Sequence, residues 1–214
     1  MIVSYIVGII MSYLIGGIPF GYLIAVAKGI DIRKQGSGNI GATNVGRVLG
    51  RKYGLIIFVL DMLKGFVTVF LVPVLVGSEI MFPTTSDNLL VILCGFCAIL
   101  GHAFPMYLRF KGGKAVATSF GVFIWLVPIS IAIVFGVWLL TVIVSRYVSL
   151  GSMIGTLALV GVIVVVVDSP FGDNMYLTAL SVAVAILIIV RHTSNIKRII
   201  AGTEKKISFR AKRG

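Results

Sequence analysis

AVATSFGVFIWLVPISIAIVFGVWLLTVIVS, residues 115–145, is the stretch on which the fold turns. It is too long for one crossing of a bilayer and short for two. A helix needs about 20 apolar residues, at 1.5 Å each, to span about 30 Å of hydrocarbon. Pro128 stands near its middle, and a proline inside a helix removes a hydrogen bond and clashes with the preceding turn. Splitting the run there predicts two helices of about 14–17 residues, or about 21–26 Å each, joined by an external turn. Local bilayer thinning, or a turn below the surface, takes up the shortfall. The alternative is a re-entrant segment that never reaches the far side.

The rest of the chain constrains the choice. The other apolar runs are 2–27, 55–77, 89–108, 150–167 and 175–190. Residues 28–54 hold Lys28, Arg33, Lys34, Arg47, Arg51 and Lys52 against Asp31 alone. Segment 109–114 holds Arg109, Lys111 and Lys114, and the end of the chain from Arg191 is basic except for Glu204. By contrast, 78–88 carries only Glu79 and Asp87, and 168–174 only Asp168 and Asp173. Basic loops face the cytoplasm. Residues 114 and 191 then both lie inside, so the stretch between them crosses an even number of times. Splitting 115–145 satisfies this and returns Arg146 to the inner face. The expectation is an all-α polytopic membrane protein of seven transmembrane helices, N-terminus outside and C-terminus cytoplasmic. It forms a single domain over 1–214, with a basic tail from about 197 to 214 resting on anionic headgroups. A five-helix fold with 115–145 re-entrant is the competing topology.

Composition sets the class. Of 214 residues, 58% are hydrophobic and 12% charged, where a soluble domain carries about 25% charged; the mean hydropathy is +1.10. The net charge of +12 does not make a nucleic-acid binder, because the cations lie in loops between spans and leave no soluble basic face. Cys94 and Cys97 fall inside an apolar run, where thiols behave as small hydrophobes rather than a redox pair. The first run has no basic stretch before it and no cleavage site after it, so it reads as a retained helix rather than a signal peptide. No repeat at 20–50-residue period is visible, nor two matching halves of the transporter kind.

Three polar segments interrupt the hydrocarbon, and the charge partition puts all of them on the inner face. The first, SGNIGATNVGR (Ser37 to Arg47), sets Ser37, Asn39, Thr43 and Asn44 among Gly36, Gly38, Gly41 and Gly46. Such a turn can aim several amide donors at one anion, and Arg47 adds a forked permanent charge that matches phosphate. It is not a Walker loop, since no Gly-Lys-Ser/Thr closes it. The second, GHAFPMYLRFKGGKAVAT (Gly101 to Thr118), carries His102 at a helix end, then Gly112 and Gly113 between Lys111 and Lys114. The lysines would neutralise phosphate, and His102 would act as a general base or orient a neighbour. The third, RHTSNIKRIIAGTE (Arg191 to Glu204), places Arg191 and Asn195 on one face if the last helix continues, with Arg198 extending the stripe and His192 beside it. Glu204 is expected to pair with a nearby cation. Asp61 and Lys64, at i and i+3 within the second run, are expected to form an ion pair that braces the bundle.

Converging at the inner leaflet, these segments would form one anion-gripping cleft. They contain no metal-ligand cluster and no nucleophile elbow. Carboxylates on this face are scarce, so an enzyme built on them must take an already activated substrate and contribute positioning and charge stabilisation. An acyl phosphate meets that need, and its fatty chain explains a catalyst in the bilayer.

With all three segments present in order over essentially the full length, the chain resembles the bacterial membrane acyl-phosphate:glycerol-3-phosphate acyltransferases. The resemblance implies seven helices and transfer of an acyl group from acyl phosphate to the 1-hydroxyl of sn-glycerol 3-phosphate, the first step of membrane phospholipid synthesis. The products would be lysophosphatidic acid and phosphate, with no metal, no cofactor and no acyl-CoA. The His-x4-Asp box of other glycerol-phosphate acyltransferases is missing: Tyr107 stands five residues after His102, and Lys197 five after His192. Carried over by position, the resemblance marks Ser37, Arg47, His102, Lys111 and Asn195 as catalytic. It puts Thr43, Asn44, Lys114 and His192 at the substrates, and Gly38, Asn39, Gly112, Gly113, Arg191 and Glu204 beside them in the three segments complete the expected substrate-binding set. The implied partners are the two substrates and membrane lipids. Oligomeric state is not fixed by the residues, and a monomer is compatible with them. The implied location is the bacterial inner membrane with the site facing the cytoplasm. A transporter of a phosphorylated anion would use the same cations but needs access from both faces, and the acidic external segments oppose that. A non-catalytic scaffold has no need of two histidines and a Gly-Gly pair.

Overall fold

The computed structural model describes residues 2–76 and 89–207. Segment 78–88, with Glu79 and Asp87, and the last part of the basic tail, with Arg210, Lys212 and Arg213, lie outside the described residues. The described residues contain helices and no strand. In chain order the helices are α1 (Ile2–Gly17), α2 (Phe20–Ala27), α3 (Ala42–Val48), α4 (Arg51–Leu75), α5 (Leu89–Ala103), α6 (Val116–Leu126), α7 (Pro128–Ser145), α8 (Val148–Val166), α9 (Met175–Arg191) and α10 (Thr193–Ile200). Five stretches are long and apolar enough to cross a membrane: 2–27, 51–75, 89–108, 128–145 and 148–166. The pair α9 and α10, bent by 54°, makes a sixth if taken as one span.

The decisive run breaks where expected. Pro128 opens α7, at the helix position where a missing N–H costs nothing. The two limbs are unequal, however: α6 has 11 residues and α7 has 18. They differ because Pro128 lies off-centre, with 13 residues of the run before it and 17 after it. The first apolar run also differs from the single helix expected. Pro19 divides it into α1 and α2, and the carbonyl of Ile18 at the break accepts the Lys64 ammonium at 2.8 Å.

The residues divide into two compact units at Pro128. In the first, small residues let helices meet backbone to backbone, the usual packing device where lipid supplies no hydrophobic drive. A Cβ on Gly16 would enter the backbone of Ala98, and one on Gly101 that of Tyr13, so α1 and α5 lie in direct contact. Gly65 and Gly121 do the same for α4 against α6, facing Thr118 and Met62. The Tyr13 hydroxyl ties α1 to the carbonyl of Phe104 at 2.5 Å. Cys94 is buried with Val72 and Leu90, Cys97 is half-buried, and both are free thiols. In the second unit, α8 packs against α9, and Gly151 of α8 lies against Trp138 and Val142 of α7. The end of the described chain returns to this unit: the Ile207 amide donates to the Arg146 carbonyl at 2.9 Å, and the Lys206 ammonium lies 5.3 Å from the Tyr147 ring centre.

Candidate functional site

The first polar segment is organised by one buried side chain. Asn44, on α3, is 2% exposed. Its Oδ1 accepts the Ser37 amide at 2.8 Å, and its Nδ2 donates to the carbonyls of Gln35 at 3.0 Å and Asn39 at 2.8 Å. The loop passes over it because Gly36 and Gly38 adopt φ of 60° and 72°, and a Cβ on Gly36 would collide with Asn44 Oδ1. Asn39 in turn accepts the Gly41 amide at 2.8 Å. Asn44 and Asn39 thus hold the loop, while Ser37, Thr43 and Arg47 stand exposed around it and Gly38 is half-buried. Upstream, Asp31 takes a bidentate grip from Arg33 at 2.9 Å through both Nε and Nη2. That hydrogen bonding holds the Asp31 carboxyl down at about 2. Arg33 also covers the Tyr22 ring at 4.6 Å, so this cation is committed to the loop's own fold.

The second segment forms a strap across the end of α5. Arg109, Phe110 and Ala115 all lie at positive φ, a strained conformation for residues with a Cβ and one that gathers at functional loops. Between them, Gly112 and Gly113 press on the helix end. A Cβ on Gly112 would enter the carbonyl of His102 and the ring of Pro105, and one on Gly113 would enter the imidazole of His102. The Gly113 amide donates to the His102 carbonyl at 3.1 Å. Lys111 is exposed and Lys114 half-buried. His102 itself is 5% exposed, with Nδ1 3.5 Å from Asp61 Oδ1. The expected Asp61–Lys64 pair is present at 2.8 Å and fully enclosed.

The first two segments share a base. Leu108, from the turn after α5, is buried in one apolar cluster with Ala25, Ile32, Ile57 and the first segment's own Ile40 and Val45. Packing these side chains together fixes the strap and the Asn44 loop to a common floor.

The third segment, in the second unit, departs from the stripe expected of a continuous helix. The helix ends at Arg191, and the chain turns 54° into α10. His192 sits at the bend, 3% exposed, with Nδ1 2.8 Å from the Ile188 carbonyl. Beyond α10, Glu204 gathers three partners. Its Oε1 accepts Asn195 Nδ2 at 2.7 Å and Ser149 Oγ at 2.8 Å, and its Oε2 accepts Arg198 Nε at 2.7 Å. Burial raises the carboxyl, but the bonds from Arg198, Asn195 and Ser149 outweigh it and hold the group below its ordinary value. The expected cation partner of Glu204 is therefore Arg198. Among the described residues no cluster of three or more His, Cys, Asp or Glu is placed to hold a metal.

A family model described as glycerol-3-phosphate acyltransferase matches residues 6–202. The chain belongs to the glycerol-3-phosphate acyltransferase family. The family member from Desulforamulus reducens is 46% identical over 200 residues, covering 93% of each chain. That from Thermosipho melanesiensis is 43% identical over 203 residues, covering 95% of this chain and 92% of its own. Among solved structures, PlsY, an integral membrane glycerol 3-phosphate acyltransferase, matches in its glycerol 3-phosphate form with a TM-score of 0.85 at 38% identity, covering 96% of both chains. Its lysophosphatidic acid form matches with a TM-score of 0.82 at 37% identity.

Two features of this family member were not legible beforehand. Ser149 gave no signal, since a single serine beside an apolar run is ordinary; only folding brings it to Glu204. The link from Asp61 to His102 was equally silent, because periodicity reports partners within one helix and not between α4 and α5.

Proposed function

We propose that the chain transfers a fatty acyl group from acyl phosphate to the 1-hydroxyl of sn-glycerol 3-phosphate, giving lysophosphatidic acid and inorganic phosphate. The observation that carries this is the common apolar floor beneath two Gly-rich cationic segments. Exposed Arg47 and Lys111 belong to a surface suited to phosphate, with amide-rich turns beside them. PlsY was crystallised with the acceptor and with the acylated product, which favours the acyltransferase over a transporter, for which the product would have no use.

In this reading Arg47, Lys111 and Lys114 grip phosphate groups, and Ser37 and Asn195 orient glycerol 3-phosphate. Gly38, Asn39, Thr43, Asn44, Gly112 and Gly113 shape the phosphate turns, and Arg191, His192 and Glu204 support the acceptor end. The 1-hydroxyl oxygen attacks the acyl carbonyl carbon, the bond from that carbon to the phosphate oxygen breaks, and phosphate leaves. The hydroxyl proton passes to an oxygen of that phosphate. His102 is the other candidate acceptor, but its enclosure and its Asp61 contact favour an orienting role.

The same reading takes 1–214 as one catalytic domain in the bacterial inner membrane, with membrane lipids around it and a monomer sufficient. It crosses seven times, N-terminus outside, C-terminus and active site cytoplasmic. Short α6, at about 16 Å, and longer α7 would be the two limbs of the fourth and fifth crossings.

The test is direct. Purified protein in detergent, given palmitoyl phosphate and glycerol 3-phosphate, is expected to release phosphate and form lysophosphatidic acid in equal amounts. Glycerol 3-phosphate flux into sealed vesicles without that product would overturn the reading in favour of transport.

A further inference from the structure

The buried trio Asp61, Lys64 and His102 does more than close a charge pair. Asp61 Oδ1 lies between Lys64 Nζ, at 2.8 Å, and His102 Nδ1, at 3.5 Å. All three side chains are at most 5% exposed. A pair that only braced a bundle would be complete with Lys64. The third member is what connects the pair to the strap. Asp61 faces the Nδ1 edge of the ring, which leaves the opposite edge, Nε2, turned away from that carboxylate. That edge lies directly beneath Gly113, where a Cβ would strike Nε2. The same residue's carbonyl accepts the Gly113 amide at 3.1 Å. Lys64 meanwhile donates to the Ile18 carbonyl at 2.8 Å and lies 5.7 Å from the Phe20 ring centre, so the network also reaches the break between α1 and α2.

We infer that Asp61 is a positioning residue which, through the His102 ring, sets the height of the Gly112–Gly113 strap and hence the placement of Lys111 and Lys114. The inference rests on the proposed role of those lysines in holding phosphate. Asp61 touches no reacting atom. Its effect appears where a displaced lysine appears, in the KM of a phosphate-bearing substrate. Loss of folded protein would instead lower the apparent kcat and leave KM unchanged.

Asp61→Asn alone strands the Lys64 charge and risks misfolding. The test therefore uses Asp61→Asn with Lys64→Met, which removes both charges together, and separately His102→Gln, which leaves the ion pair intact. Both proteins are assayed against palmitoyl phosphate and glycerol 3-phosphate, with thermal unfolding recorded alongside. The expected result is a rise of at least tenfold in KM for at least one substrate in each, with unfolding close to that of the parent. Adding the neutral pair to His102→Gln is expected to cause no further rise, because both changes cut the same path. Parental KM values in His102→Gln would overturn the inference, and so would parental values in the neutral pair or multiplicative losses in the combination. An unmutated protein with no acyl transfer at all would strike the proposed function instead.

Discussion

Asn44 accepts the Ser37 amide at 2.8 Å while its own amide reaches back to two carbonyls of the same loop. Ser37 is thus held in place by a residue seven positions along the chain whose side chain never emerges at the surface. Asn44→Ala removes three hydrogen bonds at about 0.5–1.5 kcal/mol each. The expected outcome is a loss of about 2–4 kcal/mol in stability and at least a tenfold fall in kcat/KM. Asn44→Asp supplies the acceptor but neither donor, so it is expected to rescue little. Thermal unfolding and steady-state kinetics on both variants check this.

Arg47 stands on α3 with its side chain exposed beside that loop. Were it only a topology-setting charge, lysine would serve as well. Lysine cannot reproduce a forked bidentate grip. Arg47→Lys is expected to lower kcat/KM at least tenfold, about 1.4 kcal/mol of lost transition-state binding. Unchanged kinetics would remove Arg47 from the site.

The Glu204 clasp carries a pH signature. Its folded carboxyl is held below the ordinary glutamate value by Arg198, Asn195 and Ser149 against the opposing effect of burial. A depressed folded value means the clasp contributes fully above the unfolded value, about 4.3, and loses that contribution as pH falls through the folded one. Glu204→Gln is expected to be less stable than the parent at neutral pH, with the gap closing below about pH 4. A gap constant from pH 7 to pH 3 in thermal unfolding would contradict this.

At the α1–α5 contact, Gly16 has no room for a Cβ against the Ala98 backbone. Gly16→Val must push two helices apart, and overpacking of this kind costs about 3 kcal/mol. The expected outcome is a marked drop in unfolding temperature, while Gly136→Ala on α7, with open space at its Cβ, stays near the parent.

Much of the fold was readable because the bilayer imposes simple rules. Apolar length predicted the stretches 51–75, 89–108 and 148–166 to within a few residues, and Pro128 marked a true break because proline suits a helix start, although α4 carries Pro73 within its last turn. Less readable were the breaks at Pro19 and His192. Pro19 lies inside a run whose hydropathy is continuous, and hydropathy carries no information about backbone direction; His192 lies at the start of a polar segment whose spacing equally fits a helix that continues. At the site, residue type and glycine spacing picked out the Asn44 loop and the Gly-Gly strap. They did not distinguish Asn44, which holds the loop from within, from Thr43 and Arg47, which face outward. That difference is one of burial, set by which side of α3 meets the apolar floor.

The sequence by itself determined the class of molecule, its family and the three segments that carry its chemistry. These come from composition, charge placement and short-range spacing, which are properties of the chain before it folds. Only the tertiary structure decided that Asp61 faces His102, that Ser149 meets Glu204 and that Leu108 seats the strap beside the Asn44 loop. Each of those joins groups far apart in the chain, and such pairings are set by how the backbones pack, which between α1 and α5 and between α4 and α6 depends on glycines allowing contact where any side chain would hold the helices apart.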